Sequence, residues 1–97
     1  MTMIVIQHSV ADYAAWKQAF DRDPVGRARN GVTRHAIYRP VDDPNVAIVH
    51  LEFDSLEQAQ KFLLALRELW RQVGDTLGFG GQGVHARILE ELERAEN

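Results

Sequence analysis

Cysteine is absent from this chain of 97 residues. Disulfide staples, thiol nucleophiles and cysteine-based zinc or iron–sulfur sites are thereby excluded, so any chemistry must use other groups. A basic excess is also missing: 11 Lys and Arg stand against 14 Asp and Glu, a net charge of −3, and the arginines are scattered among acids. Such a chain has no electrostatic footprint for a nucleic-acid backbone, and no nucleic-acid partner is expected. No apolar run approaches the ~20 residues that span a bilayer. The opening MTMIVIQHSV has neither the basic start nor the small-residue cleavage site of a signal peptide. A cytoplasmic protein with no membrane partner is expected. Repeats, low-complexity tracts and Pro- or Ser-rich linkers are lacking too, which makes residues 1–97 one domain.

Enough is present to build a packed fold. The hydrophobic fraction is 45% and the charged fraction 26%, as in ordinary globular chains. A chain of this length buries roughly two-thirds of its unfolded surface, so its own core is modest and oligomerisation would help.

The four histidines mark the architecture. His8, His35, His50 and His85 each lie in a separate apolar, strand-like run, and helix-like stretches divide the first run from the second and the third from the fourth. That order is β-α-β-β-α-β. It predicts an α+β chain with one four-stranded antiparallel sheet, helices on one face only, and the other face left for a second copy.

The first strand is expected over residues 3–9, with Ile4, Ile6 and His8 on one face. Asp12 is placed to cap a helix whose Tyr13, Trp16 and Phe20 form an aromatic stripe at i, i+3, i+7 that should lie on the sheet. Pro24 and Gly26 disturb the pattern, residues 27–30 add a last turn, and Gly31 supplies a stop. Residues 32–40 and 46–53 flank VDDPN and form a hairpin. Pairing Tyr38 with Ile48 sets Arg34 opposite Glu52, an opposite-charge pair that supports this register. Ala47, Val49, Leu51 and Phe53 then face the helices, while Val46, Ile48, His50 and Glu52 face away.

Ser55 and Gln58 resemble a capping box for a second helix carrying Leu56, Ala59, Phe62, Leu63, Leu66, Leu69, Trp70 and Val73 at helical spacing. It should end near Gly74. A glycine-rich connection leads to a strand over residues 84–89, and the acidic tail reads as a frayed helix.

Several motifs have two readings. Gly78, Gly80 and Gly83 spell GxGxxG, but they follow a helix and precede a strand, the reverse of a dinucleotide fingerprint. A lid over a pocket mouth is the better reading, and no cofactor is expected. Four histidines invite a metal, yet strand alternation puts His8 and His35 toward the helices and His50 and His85 away from them. Two and two on opposite faces make no three-histidine site within one subunit, so no metal is expected.

His8 is the best catalytic candidate. It ends the first strand just before the aromatic helix, where an imidazole can hydrogen-bond a ligand and exchange its proton near neutral pH. Tyr13 would be its polar partner, and Trp16, Phe62 and Trp70 would be substrate-binding walls. The same residues read equally as core, with His8 satisfying a turn. Ser9 and Ser55 look like turn and cap residues, so no Ser-His-Asp arrangement is available.

The run from His8 through Ser9, Val10, Ala11, Asp12, Tyr13, Ala14, Ala15 and Trp16 to Lys17 carries a resemblance. It continues in Phe20-Asp21, the Gly31-Val32 strand entry, Tyr38-Arg39, and Leu51-Glu52-Phe53-Asp54 with Ala59 and Phe62. These segments resemble small bacterial proteins of the dimeric α+β barrel superfamily, the ferredoxin-like group that includes antibiotic biosynthesis monooxygenase-like domains. The resemblance implies strand order 4-1-3-2, a homodimer closed across the helix-free faces, and a helix–sheet pocket in each subunit. Activities in the group run from cofactor-free oxygenation of aromatic polyketides through dehalogenation, haem degradation and isomerisation to binding alone, and fold does not choose among them. This chain departs from the best-known monooxygenases in lacking their dense Trp, Asn and His pocket set, apart from Trp16, Trp70 and the strand histidines. Two functions follow: binding and cofactor-independent transformation, monooxygenase-like or isomerase-like, of a small apolar or aromatic metabolite, or a non-catalytic homodimeric module. A deep cavity touching His8 would separate them in favour of the first.

Overall fold

Alternation of apolar residues sets the central strands. In β1 (Thr2–Ser9), Ile4, Ile6 and His8 are buried, while Met3, Val5 and Gln7 between them are not. In β3 (Val46–Phe53) the alternation covers the whole strand, with Ala47, Val49, Leu51 and Phe53 buried. The two strands pair antiparallel, Ile4 with Leu51, Ile6 with Val49 and His8 with Ala47, so the buried residues form one face. A computed structural model of the chain describes residues 1–77 and 84–97, the side chains of 73–77 excepted.

The sheet order is β2-β3-β1-β4, with β2 (Val32–Tyr38) and β4 (Val84–Glu90) at the edges and every pairing antiparallel. The hairpin register is the expected one. Tyr38 pairs with Ile48 and Arg34 with Glu52, and the Arg34 guanidinium lies 3.1 Å from the Glu52 carboxylate. The sequence did not reveal a bulge at Thr33, which falls between the Val32–Phe53 and Arg34–Glu52 pairs. The extra residue turns Val32 inward onto Phe53, and the Thr33 hydroxyl donates to the Glu52 carbonyl at 3.2 Å. The strand stops at Tyr38 instead of running to Pro40, which has no N–H to give the ladder.

Helix α1 (Tyr13–Arg22) starts at Asp12, whose side chain accepts the Ala15 N–H at 3.3 Å. It ends at Asp23, held left-handed at φ 51°, and a short 3₁₀ turn (Ala28–Asn30) follows before Gly31 at φ 99°. Helix α2 (Leu56–Leu77) is capped by Ser55, whose Oγ accepts the Gln58 N–H at 3.2 Å. The Ser55 hydroxyl also meets Gln58 Oε1 at 3.3 Å, so the reciprocal contact is made side chain to side chain. α2 runs through Gly74 to Leu77 instead of ending at the glycine, because one interior glycine costs a long helix only about 1 kcal/mol.

The tail corrects a further expectation: residues 91–97 form no helix. The Glu91 N–H donates to the Met1 carbonyl at 3.0 Å, one residue beyond the end of β4. The core lies between the sheet and the helices, where Trp16 of α1 and Ala59, Phe62 and Leu63 of α2 cover Ile4, Ile6 and the β3 row. Phe53 and Phe62 meet with ring centres 5.5 Å apart. Each large side chain so buried contributes roughly 1.5–3 kcal/mol. Among the described residues no helix is long and apolar enough to cross a membrane.

Gly31 joins the first half of the fold to the second, since a Cβ there would come within 2.9 Å of the Gln58 side chain. Gly31→Ala is expected to cost ~1–2 kcal/mol, the penalty of a left-handed conformation for a residue with a Cβ. Gly31→Asn should cost less, because asparagine tolerates that conformation. Urea unfolding midpoints check both, and an unchanged midpoint in Gly31→Ala would show that the turn relaxes freely.

Candidate functional site

The buried row of β3 shrinks from Phe53 through Leu51 and Val49 to Ala47, and His8 pairs with the small end of it. Phe53 and Phe62 fill the wide end. Toward the other end the sheet and helices leave a partly enclosed cavity of about 90 Å³. Ile6, Val49 and Leu51 make its floor, Leu66, Leu69 and Trp70 of α2 one wall, and Trp16, Ala19 and Phe20 of α1 the other. The connector after α1 closes the side with Asp23, Pro24, Val25 and Arg27.

His8 lies on that cavity and is only 4% exposed. Its ring centre is 5.2 Å from that of Trp16, which in turn lies 5.2 Å from Phe20 and 5.7 Å from Tyr13. Trp16 and Phe20 of the α1 stripe therefore lie on the sheet as their spacing predicts, Trp16 against His8 and Phe20 against His35, whereas Tyr13 stays outside. His8 Nδ1 is 3.3 Å from the carbonyl oxygen of Ser9. A carbonyl only accepts, so this contact puts the ring proton on Nδ1 and the acceptor lone pair on Nε2. Burial lowers the imidazole pKa from its ordinary value, and the Ser9 carbonyl only partly opposes that. Burial therefore favours the neutral ring.

Two charged residues on the wall had no functional signal in the sequence beyond an Asp and an Arg four apart. The Arg27 guanidinium sits 3.8 Å from the centre of the Phe20 ring, donates through Nη1 to the Phe20 carbonyl at 2.9 Å, and lies 3.5 Å from Asp23 Oδ1. The same Asp23 oxygen accepts the Arg27 backbone N–H at 2.8 Å. Asp23 and Arg27 thus neutralise each other while fastening the connector to the end of α1.

Of the five residues singled out from sequence, His8, Trp16, Phe62 and Trp70 line this one cavity. Tyr13 does not line it. It packs against Trp16, 39% exposed. His35, paired with Leu51, is on the helix-facing side of edge strand β2, its ring 5.4 Å from Phe20. His50 and His85 are on the opposite face, where His50 meets Tyr38 with ring centres 4.8 Å apart. Among the described residues no three His, Cys, Asp or Glu side chains converge as a metal site would require. The GxGxxG glycines, Gly78, Gly80 and Gly83, and with them the proposed lid, lie outside the described residues.

No protein-family model matches the chain, and no functionally curated protein matches it in sequence. Solved structures do match. A variant of SnoaB, a cofactor-independent oxygenase from Streptomyces nogalater, superposes with a TM-score of 0.72 at 15% identity, covering 99% of this chain and 97% of that one. A protein provisionally described as an antibiotic biosynthesis monooxygenase, from Deinococcus radiodurans, gives 0.66 at 16% identity and covers 100% and 98%. A dimeric ferredoxin-like protein from an uncultured marine organism gives 0.68 at 8% identity and covers 97% of each chain. At these identities, over nearly the whole of each chain, the likeness is one of fold. The chain has the ferredoxin-like fold of the dimeric α+β and antibiotic biosynthesis monooxygenase-like proteins.

Proposed function

We propose that this chain binds a small apolar or aromatic metabolite in the cavity between sheet and helices and transforms it without a cofactor, in a monooxygenase-like or isomerase-like step begun by His8. The observation that carries the reading is the cavity itself, which touches His8. A non-catalytic module has no need of such a space, and a filled interior would have favoured it. Trp16, Phe62 and Trp70 serve as apolar walls, and Tyr13 supports Trp16 from outside.

His8 has the form a proton acceptor needs. Burial favours its neutral form, and its contact with the Ser9 carbonyl orients the ring with Nδ1 as donor. Removing a proton from an acidic hydroxyl or activated C–H leaves an electron-rich anion, which is re-protonated elsewhere in an isomerisation or attacked by dioxygen in an oxygenation. SnoaB, which shares this fold, is a cofactor-independent oxygenase, and that supports the second course.

A homodimer belongs to the same proposal. The helix-free face carries Val5, Ile48, Tyr38 and Leu89, the last two 51% and 42% exposed, whereas a sheet face in water is normally polar. Dimeric ferredoxin-like neighbours support this assembly. A cytoplasmic location goes with the reading.

Three measurements test it. In a native mass-spectrometric screen of metabolites, a compound retained by the wild type should bind about tenfold more weakly to His8→Ala, the scale of one hydrogen bond to a buried group, and almost unchanged to Tyr13→Phe. Unchanged affinity in His8→Ala would favour the non-catalytic module. Sedimentation at micromolar concentration should give twice the 11.0 kDa chain mass, and Ile48→Glu should yield monomer or aggregate. A wild-type protein that sediments as monomer contradicts the dimer.

The third concerns pH. Because folding lowers the His8 pKa, the unfolded chain takes up the proton first as pH falls through ~6.5. Stability is therefore fully present above that value and declines below it, levelling off only under the folded-state pKa. Thermal midpoints between pH 8 and 5 should fall more steeply for wild type than for His8→Phe, in which that proton is absent. Parallel profiles would show that His8 titrates alike in both states.

A further inference from the structure

Resting on the homodimer reading above, we infer that the dimer is acid-sensitive, with His50 and His85 on the paired sheet faces as the groups whose protonation drives the two copies apart. The register lays out the helix-free face in three rows running from β2 to β4. Arg34, Glu52, Met3 and Leu89 make the first row, Ala36, His50, Val5 and Arg87 the second, and Tyr38, Ile48, Gln7 and His85 the third. His50 stands in the middle row on one of the two central strands, with the Tyr38 ring centre 4.8 Å from its own. His85 lies on edge strand β4 and is exposed.

Symmetry gives the central position its weight. Two copies that meet through the same face are related by a two-fold axis, and residues at the middle of that face lie near the axis and so near their own counterparts. Met3, Val5, Ile48 and Leu89 gain from the meeting, because each leaves water. A neutral imidazole against the Tyr38 ring is compatible with it. An imidazolium is not, since it would be withdrawn from water beside a second copy of itself.

The charges on the face leave no acid to answer the added protons. Arg34 and Arg87 stand against Glu52, so each face carries one surplus positive charge while its histidines are neutral. Glu52 is already held by Arg34 at 3.1 Å. β1 contributes Met3, Val5 and Gln7 and therefore no ionisable side chain. Glu91, one residue past β4, is engaged by Arg94, and Glu90 pairs with Thr2 on the helix-facing side. Protonating both histidines raises the surplus to three on each face, and the partner brings the same set. Such faces repel and lose hydration as they close.

The direction follows from linkage. An imidazole takes up its proton near pH ~6.5. The separated chain accepts that proton at His50 and the closed dimer resists it, so acid moves the equilibrium toward monomer. Each proton excluded from the dimer raises its dissociation constant by up to about tenfold per pH unit below ~6.5, and the two copies of His50 exclude two.

Sedimentation equilibrium of the full chain over a dilution series tests this, in steps from pH 8 to about 5.5 at one ionic strength, with far-UV circular dichroism at each step. The dissociation constant should rise at least about tenfold while the circular dichroism stays unchanged. His50→Gln, which keeps a polar side chain that takes no proton, should remove most of the rise. Adding His85→Gln should remove nearly all of it. A readout that needs no variant is the His50 ring titration followed by NMR, whose midpoint should be lower at protein concentrations where the dimer prevails.

A wild-type chain that is monomeric at pH 8 overturns the dimer itself and the switch with it. A dissociation constant that is flat with pH, a rise undiminished in the double variant, or a His50 midpoint that ignores concentration overturns the switch and leaves the dimer standing. A rise confined to pH values where the circular-dichroism signal is lost does the same, since unfolding then accounts for it.

Discussion

Side-chain alternation across the two central strands is the constraint on which the rest depends. β1 and β3 lie side by side in the middle of the sheet, and their register stacks Ile4 on Leu51, Ile6 on Val49 and His8 on Ala47. The period of two leaves no freedom: a slip of one residue would turn the whole row to the other face. Because that row is apolar except for His8, the core and the candidate site are set by the same pairing. The imidazole is buried as a consequence of where its strand is held, and burial in turn lowers its pKa.

The position of the cavity follows from residue sizes along that row. At one end Phe53 meets Phe62 and the space between sheet and α2 is full. Toward Ala47 the sheet offers less volume, while α1 stops after 10 residues and its connector must fold back to reach β2. Asp23 makes that reversal in the left-handed conformation and is held in it by the Arg27 backbone and side chain. The interactions that end the helix therefore also form a wall of the cavity. A hydrogen bond from a charged donor contributes ~1.5–3 kcal/mol and a desolvated cation–π contact about 2 kcal/mol, so the Phe20 carbonyl and the Phe20 ring anchor Arg27 on a comparable scale.

The sequence made most of the architecture legible because it uses strong local signals. Asp12 and Ser55 cap where their types and spacings suggest, Gly31 takes the left-handed stop, and Arg34 opposite Glu52 marks the hairpin register. The bulge at Thr33 was hidden, since nothing in VTRHAIY distinguishes a strand that shifts parity from one that does not; only the need to bury Val32 over Phe53 reveals it. The end of α2 was misplaced because glycine weakens a helix without stopping it. The tail forms no helix because nothing packs against it: Leu92, its one large apolar residue, is 86% exposed.

The site was legible in part, and the division has a physical cause. His8, Trp16, Phe62 and Trp70 could be gathered because strand parity and helical spacing point them to one side. Tyr13 shares that spacing, yet it stands at the first position of α1, where the helix is leaving the sheet edge, and it stays over a third exposed. Asp23 and Arg27 escaped notice because their contacts are made by a connector with no periodicity to read. That omission matters for chemistry more than for fold. Strand and helix patterns reveal which apolar walls converge, but whether a charge on those walls is available to a ligand depends on partners four residues away in an irregular turn. Here, among the described residues, the cation on that wall is Arg27, and its contacts with Asp23 and the Phe20 carbonyl belong to that turn.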